Sequence, residues 1–189
     1  MFHWLESHSL ADVAATQKSP PEPPPVSLGF RAERQSQSNW CWVAVATSVA
    51  NFFRPEDRWT QCKLANAVLP VSVDCCRAGE CKECDQPWQL EAALQRTHHL
   101  DQYIPSAVDP HKVTAQIHGG APVCIRIRWT DNGATHFLGV SGVHYGPDER
   151  VYFELTDPIY RESSVSVSDL FRSYQQRSCL WTDTYYTRR

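Results

Sequence analysis

The chain has 189 residues, 42% of them hydrophobic and 11% aromatic, with a formal net charge of −3. That length suits one domain with a real core. No basic block precedes the final Arg188-Arg189, which leaves nucleic-acid binding unsupported. No apolar run reaches the ~18 residues that cross a bilayer, so no membrane role is expected. In chain order, residues 1–29 read as a separate, disordered leader. Its "SPPEPPPV" at 19–26 holds five of the thirteen prolines and suits an extended spacer or a docking segment for a partner. "WLESHSLADVA" before it can form a short helix. The start has no basic n-region followed by a long apolar stretch, so it is not a Sec-type signal. Synthesis and folding in a reducing cytosol are expected, with export by another route left open.

The folded part is expected to begin near Val26, with its domain spanning 30–189. "SNWCWVAVATSVANFF" reads as a helix capped by Asn39 and ended before Pro55. Its apolar residues lie nearly all round, which suits a central buried helix. "WTQCKLANAVL" is a shorter helix with a Thr60 cap. "DQPWQLEAALQRTHH" is a third, with Pro87 near its first turn. "DPHKVTAQIHGG" is a fourth, ended by Gly119 and Gly120. "APVCIRIRW", "THFLGVSGVHY", "RVYFELTD" and "ESSVSVS" then read as strands, with turns at "DNG" and "GPDE". "VSDLFRSY" gives one more helical turn and "CLWTDTYY" a closing strand. Helices first and antiparallel strands later predict an α+β fold.

A thiol nucleophile needs a stabilised thiolate, a base within reach and donors for an oxyanion. Cys41 lies in the first turn of the first helix, where the macrodipole and unpaired N–H groups favour a thiolate. Gln35, six residues earlier, can fold back to offer a side-chain donor. Among the eight histidines, His3 and His8 lie in the leader. His98 and His99 end a helix, His111 and His118 sit on another, and His144 nears a polar turn. His136 opens a strand just after "TDNGAT", where a side chain can line a cleft. Asp157 ends the next strand and can orient its ring. Singly, each residue has a bland reading: a core thiol, an incidental histidine, a turn aspartate. The joint order raises the catalytic one.

"QSQSNWCW", followed later by "THFLGVSGV" and "TDP", resembles the papain-like cysteine proteases. It is most similar to the compact bacterial branch that includes translocated effector proteases of plant pathogens, and more distantly to bacteriocin-processing peptidases. The resemblance covers roughly residues 30–165. It implies a papain-like fold, a helical half with a central buried helix packed on an antiparallel β half. It implies Cys41 as nucleophile, His136 as base and then acid, Asp157 as the orienting residue and Gln35 in the oxyanion hole. Asn39-Trp40 precede Cys41 where papain itself has a Gly-Ser type pair, so substrate preference does not carry over.

Five of the eight cysteines, Cys62, Cys75, Cys76, Cys81 and Cys84, lie within 23 positions. Two disulfides formed after export are preferred over a four-thiolate zinc site, with reduced thiols as the other alternative. Cys124 and Cys179 stand apart. No catalytic cofactor is expected. The expected function is hydrolysis of a protein or peptide through a thioester, with self-processing of the leader as an option. The alternatives are acyl transfer or deamidation by the same residues, or an inert binding module in which Cys41 is core.

Overall fold

The structure, a computed structural model, describes residues 24–77, 81–148 and 150–189. Three helices come first: α1 (Cys41–Phe53), α2 (Gln61–Val68) and α3 (Leu90–Arg96). A single further helix of comparable length, α4 (Pro110–His118), precedes the main run of strands. Side chains cap two of these, the expected Thr60 and also Asp109. Thr60 accepts from the Lys63 N–H at 3.4 Å, and Asp109 from the His111 N–H at 2.8 Å. The third helix starts at Leu90, so Pro87 lies outside it.

Helix α1 is the centre of the helical half. Every residue from Trp42 to Ala50 is buried. Valines in this run are weak helix formers, so packing on all sides, more than propensity, holds the helix. The buried Ser48 hydroxyl is satisfied within it, donating to the Ala44 carbonyl at 2.7 Å and accepting from Glu33 N–H at 2.8 Å. The N-cap is Trp40, with no side-chain cap bond, where Asn39 was expected. Asn39 is used elsewhere: its side-chain amide donates to the Asp85 carbonyl at 3.0 Å.

The strands are β1 (Val26–Ser27), β2 (Leu100–Ile104), β3 (Val123–Trp129), β4 (Thr135–Tyr145), β5 (Val151–Asp157), β6 (Arg161–Ser166), β7 (Ser173–Tyr174) and β8 (Arg177–Thr187), with the short helix α5 (Val167–Leu170) after β6. All pairings are antiparallel, and the main path runs β2-β8-β3-β4-β5-β6. β1 pairs with β4, Val26 opposite Val143, so the end of the expected 1–29 leader belongs to the sheet. Residues 1–23, with the expected short helix and most of the proline run, lie outside the described residues. Gly142 permits that added strand: a Cβ there would sit 2.8 Å from the Val26 carbonyl oxygen.

Side chains of the sheet alternate between two cores. Cys124, Phe137 and Tyr185 join the helical core of α1, α2 and α3. Val123, Ile125, Leu138, Val140, Phe153 and Leu155 join a second core closed by Val113 and Ile117 of α4. This is an α+β fold with a central buried helix against an antiparallel sheet, as the sequence predicts. No helix among the described residues is long and apolar enough to cross a membrane.

Candidate active site

Cys41 is the first residue of α1 and is half-buried. N–H groups in a helix's first turn have no carbonyl partner within the helix, which suits a developing anion. The approach to Cys41 is braced from outside by residues 84–86. Asn39 N–H donates to Asp85 Oδ1 at 2.7 Å, Trp40 Nε1 to the Cys84 carbonyl at 2.7 Å, and Trp42 Nε1 to the Gln86 carbonyl at 3.0 Å. Both indoles are otherwise sunk in the helical core. The tryptophans flanking the cysteine are therefore clamps, with an apolar body in the core and a donor on the loop.

His136 comes from β4 and Asp157 from β5. Gly139 pairs with Thr156, and extending that register puts Asp157 opposite Leu138, diagonal to His136 on the same face. His136 Nε2 donates to both Asp157 oxygens at 2.9 Å. The ring's other nitrogen is left for Cys41, which lines the same cleft. Burial pulls the imidazole pKa down, but the hydrogen bonds and charges of Asp157 and Cys41 overcome it and raise it to about 9. Burial pushes the Asp157 carboxyl up, yet the His136 contact and the backbone N–H groups of Tyr160 and Ile159 hold it below the usual carboxylate range. Those two N–H groups lie 2.9 and 2.7 Å from Oδ1, the side-chain capture that an Asp before Pro favours.

Cys41, His136 and Gln35 all line one cleft of about 190 Å³ whose walls include Trp88, Trp129 and Tyr160. The Gln35 amide is already engaged. Its Nε2 donates to the carbonyls of Gln37 at 2.9 Å and Ser38 at 2.7 Å, while its buried Oε1 has no partner. Two of the other histidines do other work. His144 pairs with Glu154 at 2.8 Å and stacks on Tyr152; His99 stacks on Phe53 and bonds the Arg188 carbonyl through Nδ1.

In the cysteine-rich segment, Cys62 pairs with Cys76 and Cys75 with Cys84; Cys81, Cys124 and Cys179 are free. The vicinal Cys75-Cys76 faces two ways, tying α2 on one side and the 84–86 loop on the other.

Three features of the site escape the sequence reading. Tyr174 donates to Asp157 Oδ2 at 3.0 Å. Tyr160 sets its ring edge-on to His136, centroids 6.1 Å apart. The 84–86 loop braces the nucleophile from more than forty residues away in sequence. None carries a motif; a tyrosine after a short turn looks like any other.

The comparisons with known proteins bear on family and fold. The family described as "Papain-like cysteine protease AvrRpt2" matches residues 26–177. No curated protein matches the chain. Among solved structures, a protein described as a C39-like peptidase from Bacillus anthracis superposes with TM-score 0.56 at 14% identity, covering 88% of this chain and 99% of its own. The proform of the Amb a 11 cysteine protease, a ragweed pollen allergen, gives TM-score 0.54 at 10% identity, covering 90% of this chain and 66% of its own. At such identities the likeness is one of fold. The family match spans most of the chain, from the first strand to the start of the last: this protein belongs to the AvrRpt2 family of papain-like cysteine proteases and is a cysteine peptidase.

Proposed function

We propose that the protein hydrolyses peptide bonds through Cys41, His136 and Asp157. The observation that carries this is the His136 ring, held on Asp157 through Nε2 in the cleft that Cys41 also lines. The Cys41 thiolate attacks the scissile carbonyl carbon, forming a C–S bond and an oxyanion. The His136 imidazolium then gives its proton to the leaving amine as the C–N bond breaks, leaving a thioester. Neutral His136 next takes a proton from water; the resulting hydroxide equivalent attacks the thioester, and the thiolate leaves. Asp157 keeps the tautomer and stabilises the imidazolium throughout.

Gln35 completes the oxyanion hole in this reading. Its amide protons rest on two neutral carbonyls, and a charged oxyanion is the stronger acceptor. An entering substrate therefore draws one proton away from Gln37 or Ser38. Gln35→Ala lowers turnover by about 100-fold while leaving Cys41 alkylation nearly unchanged.

The test is labelling with a vinyl-sulfone or epoxide thiol-protease probe, followed by mapping of the modified residue. Modification at Cys41 that vanishes in His136→Ala supports the reading; equal labelling of all free cysteines overturns it. Self-processing of the leader is a further part of the proposal. Intact masses of wild type and Cys41→Ala differ by a leader fragment if it occurs, and only by the sulfur lost in the substitution if it does not. The proline-rich segment, as a docking arm for a partner, is tested by binding with 1–25 deleted.

A further inference from the structure

Asp157 does not face His136 alone. Its Oδ1 accepts the Ile159 and Tyr160 N–H groups, at 2.7 and 2.9 Å. Its Oδ2 has one further partner besides the shared imidazole: the Tyr174 hydroxyl, at 3.0 Å. Tyr174 is 2% exposed and comes from the second core, well away from the motifs around Cys41.

The place of that hydroxyl is set by packing on several sides. Gln175 and Gln176 have φ of 50° and 61°, the two-residue turn that suits a tight hairpin. It pairs Tyr174 with Arg177. The Tyr174 ring stacks on Trp129, centroids 6.2 Å apart, and meets Tyr160 edge-on at 6.1 Å. The Arg177 guanidinium covers Trp129 at 4.4 Å and is held by Asp131 at 2.8 Å. A side chain packed this way has little freedom to swing, so its O–H is a preset donor.

We propose that Tyr174 is a positioning residue of this site, whose hydroxyl fixes the Asp157 carboxylate and draws off part of its charge, and so limits how tightly His136 holds its proton. The inference rests on the Cys41–His136–Asp157 reading given above. The physical logic is simple. A carboxylate that accepts one more hydrogen bond is a weaker base towards its other partners. A weaker Asp157 leaves His136 a better acid towards the leaving amine. The Tyr174 hydroxyl itself stays protonated, because burial and the Asp157 charge push its pKa up. The other titratable or charged groups facing this set are Cys41 on α1, Tyr160 in the turn after β5, and Arg161 opposite Asp157 in the β5–β6 ladder.

The experiment is an NMR titration of the His136 ring in the full chain, in wild type, Cys41→Ala, Tyr174→Phe and a variant with 3-fluorotyrosine placed at 174. Tyr174→Phe removes one oxygen and keeps the ring packing. It should raise the pH at which His136 titrates by about 0.5, a part of the effect of one hydrogen bond to a charged group. It should also lower kcat by up to about threefold, the most a 0.5 shift in the acid's pKa gives, with KM little changed. Fluorotyrosine is a stronger donor with the ring and hydroxyl kept, and should move the titration the opposite way. A His136 titration that is unmoved, or moved the same way by both substitutions, overturns the inference. Should Tyr174→Phe fail to fold, the fluorotyrosine arm decides alone. The two readings fail separately. If His136 does not respond to Cys41→Ala, the pairing with Cys41 is wrong; if it does and Tyr174 has no effect, only the present inference falls.

Discussion

Removing the Cys75–Cys84 disulfide separates stability from catalysis in a way the structure makes specific. Cys84 opens the loop whose carbonyls and carboxylate take four hydrogen bonds from Asn39, Trp40 and Trp42 around the nucleophile. Cys62–Cys76 closes a comparable loop but makes no bond to that brace. For sequence separations of 9 and 14, the chain-closure relation gives about 2.7 and about 3.0 kcal/mol. Either loss should lower the melting temperature by roughly 5–11 °C in a chain of this size. The double variant Cys75→Ala/Cys84→Ala should in addition slow Cys41 modification by the vinyl-sulfone probe by about tenfold, since small displacements of a reacting group are costly. Cys62→Ala/Cys76→Ala should lose similar stability and keep most of that rate. The assays are calorimetry and time-resolved labelling at a temperature where both variants stay folded. Equal loss of rate in the two variants would refute the claim that loop 84–86 positions the nucleophile. One consequence is practical: reductant strong enough to open both disulfides should lower activity even as it keeps Cys41 reduced.

The other predictions concern the catalytic pair and the sheet. Asp157→Ala should reduce turnover by about 100-fold, against complete loss for His136→Ala, because the base survives without its orienting partner; equal effects would show that Asp157 does more than orient. Folding raises the His136 pKa from 6.5 to about 9. Its contribution to stability is therefore full below about 6.5 and is lost as pH rises through 9. Melting curves from pH 6 to 10 should fall more steeply for wild type than for His136→Gln across that window, and parallel curves would contradict the ion pair. Gly139→Ala would place a Cβ 2.5 Å from Phe30 Cε1 and 3.2 Å from Thr156 Cγ2. Overpacking of this kind costs about 1–3 kcal/mol, so the urea midpoint should fall; an unchanged midpoint would mean that Phe30 moves freely.

Much of this protein is determined locally. Thr60 and Asp109 cap their helices because their oxygens reach the next turn's N–H groups whatever surrounds them. The strands from Val123 to Ser166 follow from β-branched alternation, and Cys41 falls at a helix start because the apolar run begins there. Tertiary structure decides what depends on distant partners. β2, with no alternation to announce it, exists because β8 offers an edge; β8, last in sequence, lies inside the sheet between β2 and β3. Asn39 gives up the cap to Asp85, and the Gln35 amide turns to the carbonyls of its own loop. Which cysteines pair depends on where the 84–86 loop comes to rest. Spacing along the chain brought Gln35, Cys41, His136 and Asp157 into view, because each carries recognisable chemistry. Tyr174 and the bracing loop have no such mark, since a hydrogen bond between residues far apart in sequence is written only in the packing that brings them together.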